Sequence, residues 1–243
     1  MKKGISQSAI SIYKECPYAY YLEYNFNRQA MHFNPDVMDT GKLVHDAIDK
    51  YYKLYYLTTG TAEDILTESY DVLRRNWDTS LELEELNKGY TCLHHHSLFE
   101  YSNIKNGITK PLTEIDIYGN GYHGVIDYDD LVNNKAIDWK TGRSVYLSKG
   151  YRMQAHVYKE LLESEFSQTL DHFYFFFLYP NEWRIVKFDD EKQKKIGEET
   201  ENLKNDILIS WDNDEFPKQP RLESGCRSCA YKYYCMIEQC QVS

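Results

Sequence analysis

Two aspartates and a lysine stand at a spacing that can hold a metal ion. Gly124-Val125-Ile126-Asp127 is followed by Ala136-Ile137-Asp138-Trp139-Lys140-Thr141-Gly142. Both segments read as strands, and a period of two puts Asp138 and Lys140 on one face. If the two strands are paired neighbours, Asp127 comes within a few ångströms of Asp138. Carboxylates that close repel each other and need a compensating charge. A divalent cation with oxygen ligands supplies it. Such an ion polarises a phosphodiester and lowers the pKa of a bound water. Lys140 can orient that water or neutralise the charge developing on phosphorus. An isolated D-x-K is usually a strand end with solvated charges. The G-x-x-D about a strand and a turn upstream takes this one out of that class.

A second constellation lies in the tail. Cys226-x2-Cys229-x5-Cys235 is close-spaced and loop-borne. Clustered cysteines in a cytosolic chain suggest metal before disulfide. Tetrahedral zinc takes four cysteines or a mixture with histidine, and iron–sulfur clusters also take four thiolates. The tail gives three good ligands, so a fourth comes from elsewhere. Cys16, in Tyr13-Lys14-Glu15-Cys16-Pro17-Tyr18, and Cys240 are both open as that fourth ligand. Cys92-Leu93-His94-His95-His96 is also dense in ligands. Consecutive helical residues point in different directions and do not easily share one ion, so it reads as a solvated or partly buried helix face.

The elements that must position these residues follow from periodicity. Residues 6–24 read as helical with a Ser6 or Ser8 cap, and Pro17 starts a second piece. A helix over 39–57 follows Asp39 or Thr40, and 62–77 and 82–100 read as acidic helices. The texture changes at Pro111. Strands over 112–118 and 122–128 flank Gly119-Asn120-Gly121, a strong hairpin signal. A third strand covers 134–140, and 149–164 is helical. The aromatic run 170–178 and residues 182–188 read as paired strands, and 190–211 as a charged helix. Pro217 and Pro220 open an irregular tail. This order predicts an α/β core with a mixed sheet and an added helical region.

The chain has 243 residues, enough for one large domain or a core with appendages. No apolar run approaches the ~20 residues of a membrane span. Lys2 and Lys3 have no apolar stretch behind them, so no secretory signal is expected. The expected location is the cytoplasm, or the host cytoplasm for a viral protein. A net charge of -10 argues against a polyanionic partner. The distribution softens this. Residues 61–90 are strongly acidic, whereas 135–159 carries Lys135, Lys140, Arg143, Lys149, Arg152 and Lys159 against Asp138 alone. Such a stretch can line a basic channel. Some of the 23 tyrosines could stack on bases, with most at core edges or on the surface.

Asp127 with Asp138-Trp139-Lys140 resembles the core motif of the PD-(D/E)XK nucleases. The wording Ile137-Asp138-Trp139-Lys140-Thr141-Gly142 resembles the RecB and AddB nuclease domains and the CRISPR-associated RecB-like exonucleases. Gly41-Lys42-Leu43-Val44-His45 resembles the family's helix with a metal-ligating histidine, which implies that role for His45. Gln154-Ala155-His156-Val157-Tyr158 resembles the Q-x-x-x-Y helix, which implies DNA positioning by Gln154 and Tyr158 on one helix face. Glu114 resembles an acidic position found at the start of the hairpin. Cys16, Cys226, Cys229 and Cys235 match the family's [4Fe–4S] ligand pattern, and structural zinc stays open.

The resemblance runs from Ser6 to Cys235. It implies a restriction-endonuclease-like core with a central mixed sheet flanked by helices, plus an iron–sulfur-stapled helical region. The implied organisation is a single nuclease unit: a helical region over 1–110, a core over 111–215 and a cysteine-rich segment over 216–243. It implies a DNA exonuclease using Mg²⁺ or Mn²⁺, held by His45, Asp127, Asp138 and the Trp139 carbonyl, with Lys140 as catalytic lysine. The implied substrate is single-stranded or free-ended DNA. The implied setting is recombination, repair or CRISPR spacer acquisition, with integrase or recombination proteins as partners. No G-x-x-x-x-G-K-[ST] motif is present, so a free-standing nuclease is expected. The rival is a non-catalytic iron–sulfur subunit that binds DNA ends or serves as an adaptor.

Overall fold

The structure is a computed structural model describing residues 4–25, 35–54, 62–77, 82–106, 110–218, 226 and 229–235. Helices α1 (Gln7–Glu15), α2 (Pro17–Tyr24), α3 (Pro35–Leu54), α4 (Ala62–Asn76) and α5 (Leu83–Lys105) come first. Strands β1 (Leu112–Gly119), β2 (Tyr122–Asp130) and β3 (Lys135–Lys140) lead into α6 (Lys149–Phe166). Strands β4 (His172–Phe177) and β5 (Glu182–Lys187) precede α7 (Glu191–Asn213).

Local chemistry sets these boundaries. Ser6 Oγ accepts the Ala9 N–H and caps α1. Ser148 and Asp190 cap α6 and α7 in the same way. Pro17 opens α2 at its first position, where its missing N–H is harmless. The same logic corrects the start of α3. It begins at Pro35 rather than after Asp39 or Thr40, because a proline favours the first helical turn. Residues 55–57, where that helix was expected to end, lie outside the described residues. Asn120 and Gly121 have φ of 50° and 82°, as a two-residue hairpin turn requires.

The sheet order is β1-β2-β3-β4-β5. Neighbours are antiparallel except β3 and β4, which are parallel. Helix α6 supplies the long connection that a parallel pair needs. The expected mixed sheet is therefore present, with helices on both faces. Ile126, Ala136, Phe173, Phe175 and Phe177 pack with residues of α1, α6 and α7. Tyr128, Ile137, Trp139 and Phe176 pack with residues of α3, α4 and α5. A strand buried on both faces loses polar alternation, which explains the aromatic run in β4. Among the described residues, no helix is long and apolar enough to cross a membrane.

The ladders around β2 are interrupted at one position. β2 and β3 pair from Asp130↔Lys135 to Tyr128↔Ile137 and no further. β1 and β2 pair at Thr113↔Tyr128 and Ile115↔Ile126, with no pair at Glu114. Glu114 has φ 46°, a conformation that a non-glycine residue keeps only when its surroundings enforce it. Both gaps fall at Asp127.

Candidate active site

Asp127 leaves β2 where its ladder with β3 ends, and its Oδ2 accepts the Trp139 backbone N–H at 2.7 Å. Its other oxygen lies 3.5 Å from His45 Nδ1 on α3. The same nitrogen lies 3.5 Å from Glu114 Oε1 on β1. Ligand atoms of His45, Glu114 and Asp127 all fall within 4.8 Å of one another. Gly41 helps α3 come this close, since a Cβ there would meet Thr141 Oγ1 at 3.2 Å.

Asp138 and Lys140 form the adjoining half. Lys140 Nζ lies 2.6 Å from Asp138 Oδ2. Gln154 joins them from α6. Its Nε2 donates to Asp138 Oδ1 at 2.6 Å, and its Oε1 accepts from Lys140 Nζ at 3.1 Å. Gln154 Nε2 also lies at hydrogen-bond distance, 3.0 Å, from the Tyr158 hydroxyl. Gln154 and Tyr158 thus share one face of α6, as their spacing predicts. Gly124 explains the glycine of G-x-x-D. A Cβ there would lie 2.9 Å from Tyr158 Cε1 and 3.0 Å from Leu161 Cδ1, so the glycine lets α6 sit against β2.

The charges are buried. Asp127 is 7% exposed and Asp138 is 2% exposed. Burial raises Asp138 above the usual carboxylate range, and Asp127 adds to this despite Lys140 beside it. Burial likewise raises Glu114. Burial opposes the charge on His45, but Asp127 and Glu114 outweigh it and hold the imidazole proton well above the ordinary range. Lys140 is also raised: burial works against its charge, and Asp138 and Asp127 prevail.

Three carboxylates therefore face one imidazole and one ammonium. Glu114 Oε1 and Asp138 Oδ2 are buried with no hydrogen bond of proper geometry; Lys140 reaches the latter as a close ion pair only. Oxygens left over in an anionic pocket suit a hard divalent cation. Carboxylate oxygens suit Mn²⁺ as well as Mg²⁺, and His45 stands beside them. The residues present thus fit Mg²⁺ or Mn²⁺. Together with Lys140, Gln154 and Tyr158, they line one cleft of about 1290 Å³.

A family model described as the PD-(D/E)XK nuclease superfamily matches residues 4–236. The chain belongs to the PD-(D/E)XK nuclease superfamily. Membership implies a metal-dependent phosphodiester hydrolase acting on DNA, and nucleases of this superfamily use Mg²⁺ or Mn²⁺. No curated protein matches the chain.

The remaining sequence expectations fare differently. The Trp139 indole packs into the core on the α3–α5 side, so the residue meets the carboxylates through its backbone. Glu114, of unassigned role in the sequence, stands with His45 and Asp127. Its only signal was an acid at the start of a hairpin. The histidine run disperses as expected. His94 is exposed, His95 Nδ1 lies 2.6 Å from the Leu178 carbonyl oxygen, and His96 is buried against Tyr52. Burial pushes the Cys92 thiol up to about 12.

Most cations of the basic stretch are ion-paired. Arg143 pairs with Glu84, Lys149 with Glu199, Arg152 with Asp190 and Lys159 with Glu163. Lys135 lies over the rings of Phe99, Tyr174 and Trp183. Acidic side chains from α5, α6, α7 and the α7 N-cap pair with four of these cations, which the sequence distribution alone did not reveal.

Cys16 lies at the α1–α2 junction and packs with Cys229, Ala19, Leu22 and Tyr231. None of the described cysteines is in a disulfide. Burial raises the Cys229 thiol, and the nearby Cys16, Cys226 and Cys235 raise it further. No three of these sulfurs come within 4.8 Å of one another. Cys240 lies outside the described residues.

Proposed function

We propose that this protein is a metal-dependent DNA exonuclease acting on single-stranded or free-ended DNA. The observation that carries this reading is the meeting of His45, Glu114, Asp127 and Asp138 with Lys140 in one cleft. Mg²⁺ or Mn²⁺, when bound, supplies Lewis-acid polarisation of the phosphodiester and a water of lowered pKa. His45, Glu114, Asp127 and Asp138 are the side chains that would hold it, with the Trp139 backbone beside them. Lys140 keeps its proton and offers a positive charge where the phosphorane becomes most negative. Gln154 fixes both Asp138 and Lys140, and Tyr158 braces Gln154. Gln154 and Tyr158 would also help position DNA. We read the chain as one unit, with its helical region over 1–110, core over 111–215 and tail over 216–243.

A [4Fe–4S] cluster on Cys16, Cys226, Cys229 and Cys235 belongs to the same proposal. Support comes from the match of these four cysteines to the family's ligand pattern; Cys16, Cys226 and Cys235 all act on the Cys229 thiol, although the described sulfurs form no cluster-like arrangement. A role in recombination, repair or CRISPR spacer acquisition, alongside integrase or recombination proteins, rests on the resemblance of Ile137-Asp138-Trp139-Lys140-Thr141-Gly142 alone.

Anaerobically purified protein incubated with end-labelled single- and double-stranded DNA and Mg²⁺ or Mn²⁺ tests the activity. Progressive shortening of linear DNA is expected, with circular single strands resistant. Cutting of circles at the same rate would exclude the exonuclease reading. The purified protein should be brown, and the colour should vanish in Cys16→Ser, Cys226→Ser, Cys229→Ser and Cys235→Ser. A colourless protein that contains zinc would exclude the cluster.

A further inference from the structure

The same cleft is also lined by aromatic residues that take no part in the metal site. Tyr20 and Tyr24 from α2 and Trp211 from α7 line it. Tyr20 is buried, whereas Tyr24 and Trp211 are 43% and 37% exposed. Exposed aromatics of this size are held in place here. The Trp211 Nε1–H donates to the Tyr20 hydroxyl at 3.0 Å. Tyr20 stacks on Tyr24 with ring centroids 4.7 Å apart. Phe216 packs edge-on against Trp211 at 5.1 Å and stacks on Tyr20 at 6.0 Å. A half-exposed ring that is locked from behind offers a flat apolar face at little entropic cost on binding.

The charge of the cleft narrows what that face can take. Among the described residues lining it, Lys140 is the single lysine or arginine, and it is already paired with Asp138. Asp127, Asp138, Glu114 and Asp212 line the same space. Phosphate neutralisation, the usual source of affinity for nucleic acid, is therefore scarce inside the cleft. Away from the metal site and Lys140, stacking of bases on aromatic rings is the source of affinity that this lining offers, and it tolerates any base because every base has a π-face. In a duplex those faces are covered by neighbouring base pairs. A single strand exposes them.

We infer that Tyr24 and Trp211, backed by Tyr20, form a base-stacking subsite that makes this cleft select single-stranded over duplex DNA. The inference rests on the nuclease reading above and names the part of the cleft that grips substrate. Bases stack on the aromatic residues while the backbone passes to the carboxylates. Selectivity then arises from base faces rather than from phosphate charge.

The test uses the intact protein in Mg²⁺ with a phosphorothioate-linked oligothymidylate carrying one 2-aminopurine, which resists cleavage and reports stacking by loss of fluorescence. Binding is followed by anisotropy and stacking by quenching. Tyr24→Ala and Trp211→Ala should each weaken single-strand binding about 5- to 150-fold and relieve quenching. Tyr24→Phe and Trp211→Phe should retain most of both. The dependence of affinity on salt should keep its slope in Trp211→Ala, because no phosphate contact is lost. Both positions are partly exposed, and matching thermal melts identify a variant whose fold is intact; if one fails to fold, the other carries the test. Alanine variants that bind and quench like the wild type overturn the inference, as does a wild type that binds duplex equally well. If the wild type still shortens end-labelled DNA in either case, the nuclease reading stands without the subsite. A wild type that neither binds nor cuts DNA removes both.

Discussion

Asp127 accepts the Trp139 backbone N–H at 2.7 Å, in the place where the β2–β3 ladder would otherwise continue. A side chain stands in for a main-chain carbonyl. The strands can therefore part without leaving a buried donor unpaired. The space opened by that parting is where Glu114 and His45 meet Asp127, with Asp138 and Lys140 on the adjoining strand.

This double duty separates two substitutions at Asp127. Asp127→Asn keeps an oxygen that can accept from Trp139, and it loses the charge. The variant should melt close to the wild type and lose its response to Mn²⁺. Asp127→Ala also orphans the N–H and should cost about 1–3 kcal/mol. Thermal melts with and without Mn²⁺ measure both quantities. Equal melting of the two variants would show that the hydrogen bond has no structural weight.

Lys140 should matter for rate more than for metal. Lys140→Ala removes the positive charge next to Asp138 and should slow cleavage about 10²–10³-fold, the usual effect of losing one such transition-state contact. Full metal-dependent cleavage by this variant would refute the assignment. Mn²⁺ titration by calorimetry should still show binding, since His45, Glu114 and Asp127 remain.

Gly124 should be intolerant of a side chain. Gly124→Val places methyl groups against the Tyr158 ring and Leu161. Overpacking of this kind costs about 1–3 kcal/mol. It should also shift Tyr158 away from Gln154 and lower activity by more than the stability loss explains. Denaturant melts paired with cleavage rates check this, and a variant with wild-type stability would contradict the close packing.

Glu100 should make the protein more stable in mild acid. It is buried at 1% exposure and accepts from the Tyr52 hydroxyl at 2.6 Å. Burial raises its pKa to about 6. The folded value lies above the unfolded one, so this contribution is fully present below the unfolded pKa. It is lost as pH rises through about 6, and amounts to roughly 2 kcal/mol. Glu100→Gln cannot ionise and should flatten this part of the curve. Urea melts from about pH 4 to about pH 7 compare the two; parallel curves would rule the effect out.

Much of the site could be read from residue order. The two-residue period placed Asp138 with Lys140, and the four-residue spacing placed Gln154 with Tyr158. These are local rules, and the fold obeys them. Three features could not be read, each because it depends on contacts distant in sequence. Glu114 joins the metal group because of a left-handed backbone at one residue and a helix brought in from residue 45. Arg143, Lys149 and Arg152 pair with acids on α5, α7 and the α7 N-cap. Tyr24 and Trp211 share a cleft although α2 and α7 lie at opposite ends of the described chain. The start of α3 differs for a simpler reason: Asp39 and Thr40 resemble caps, but Pro35 occupies the first helical position.

The strand order has a kinetic consequence. β1, β2 and β3 form a meander of consecutive hairpins, and hairpins close within about 1–10 μs. Glu114, Asp127, Asp138 and Lys140 all sit on that meander, whereas His45 arrives on a helix far upstream. Local contacts form before long-range ones. The refolding chain is expected to gather its three carboxylates before the imidazole joins them. A divalent ion in the refolding buffer would find its oxygen ligands assembled before the tertiary structure is complete, and would favour the docking of α3.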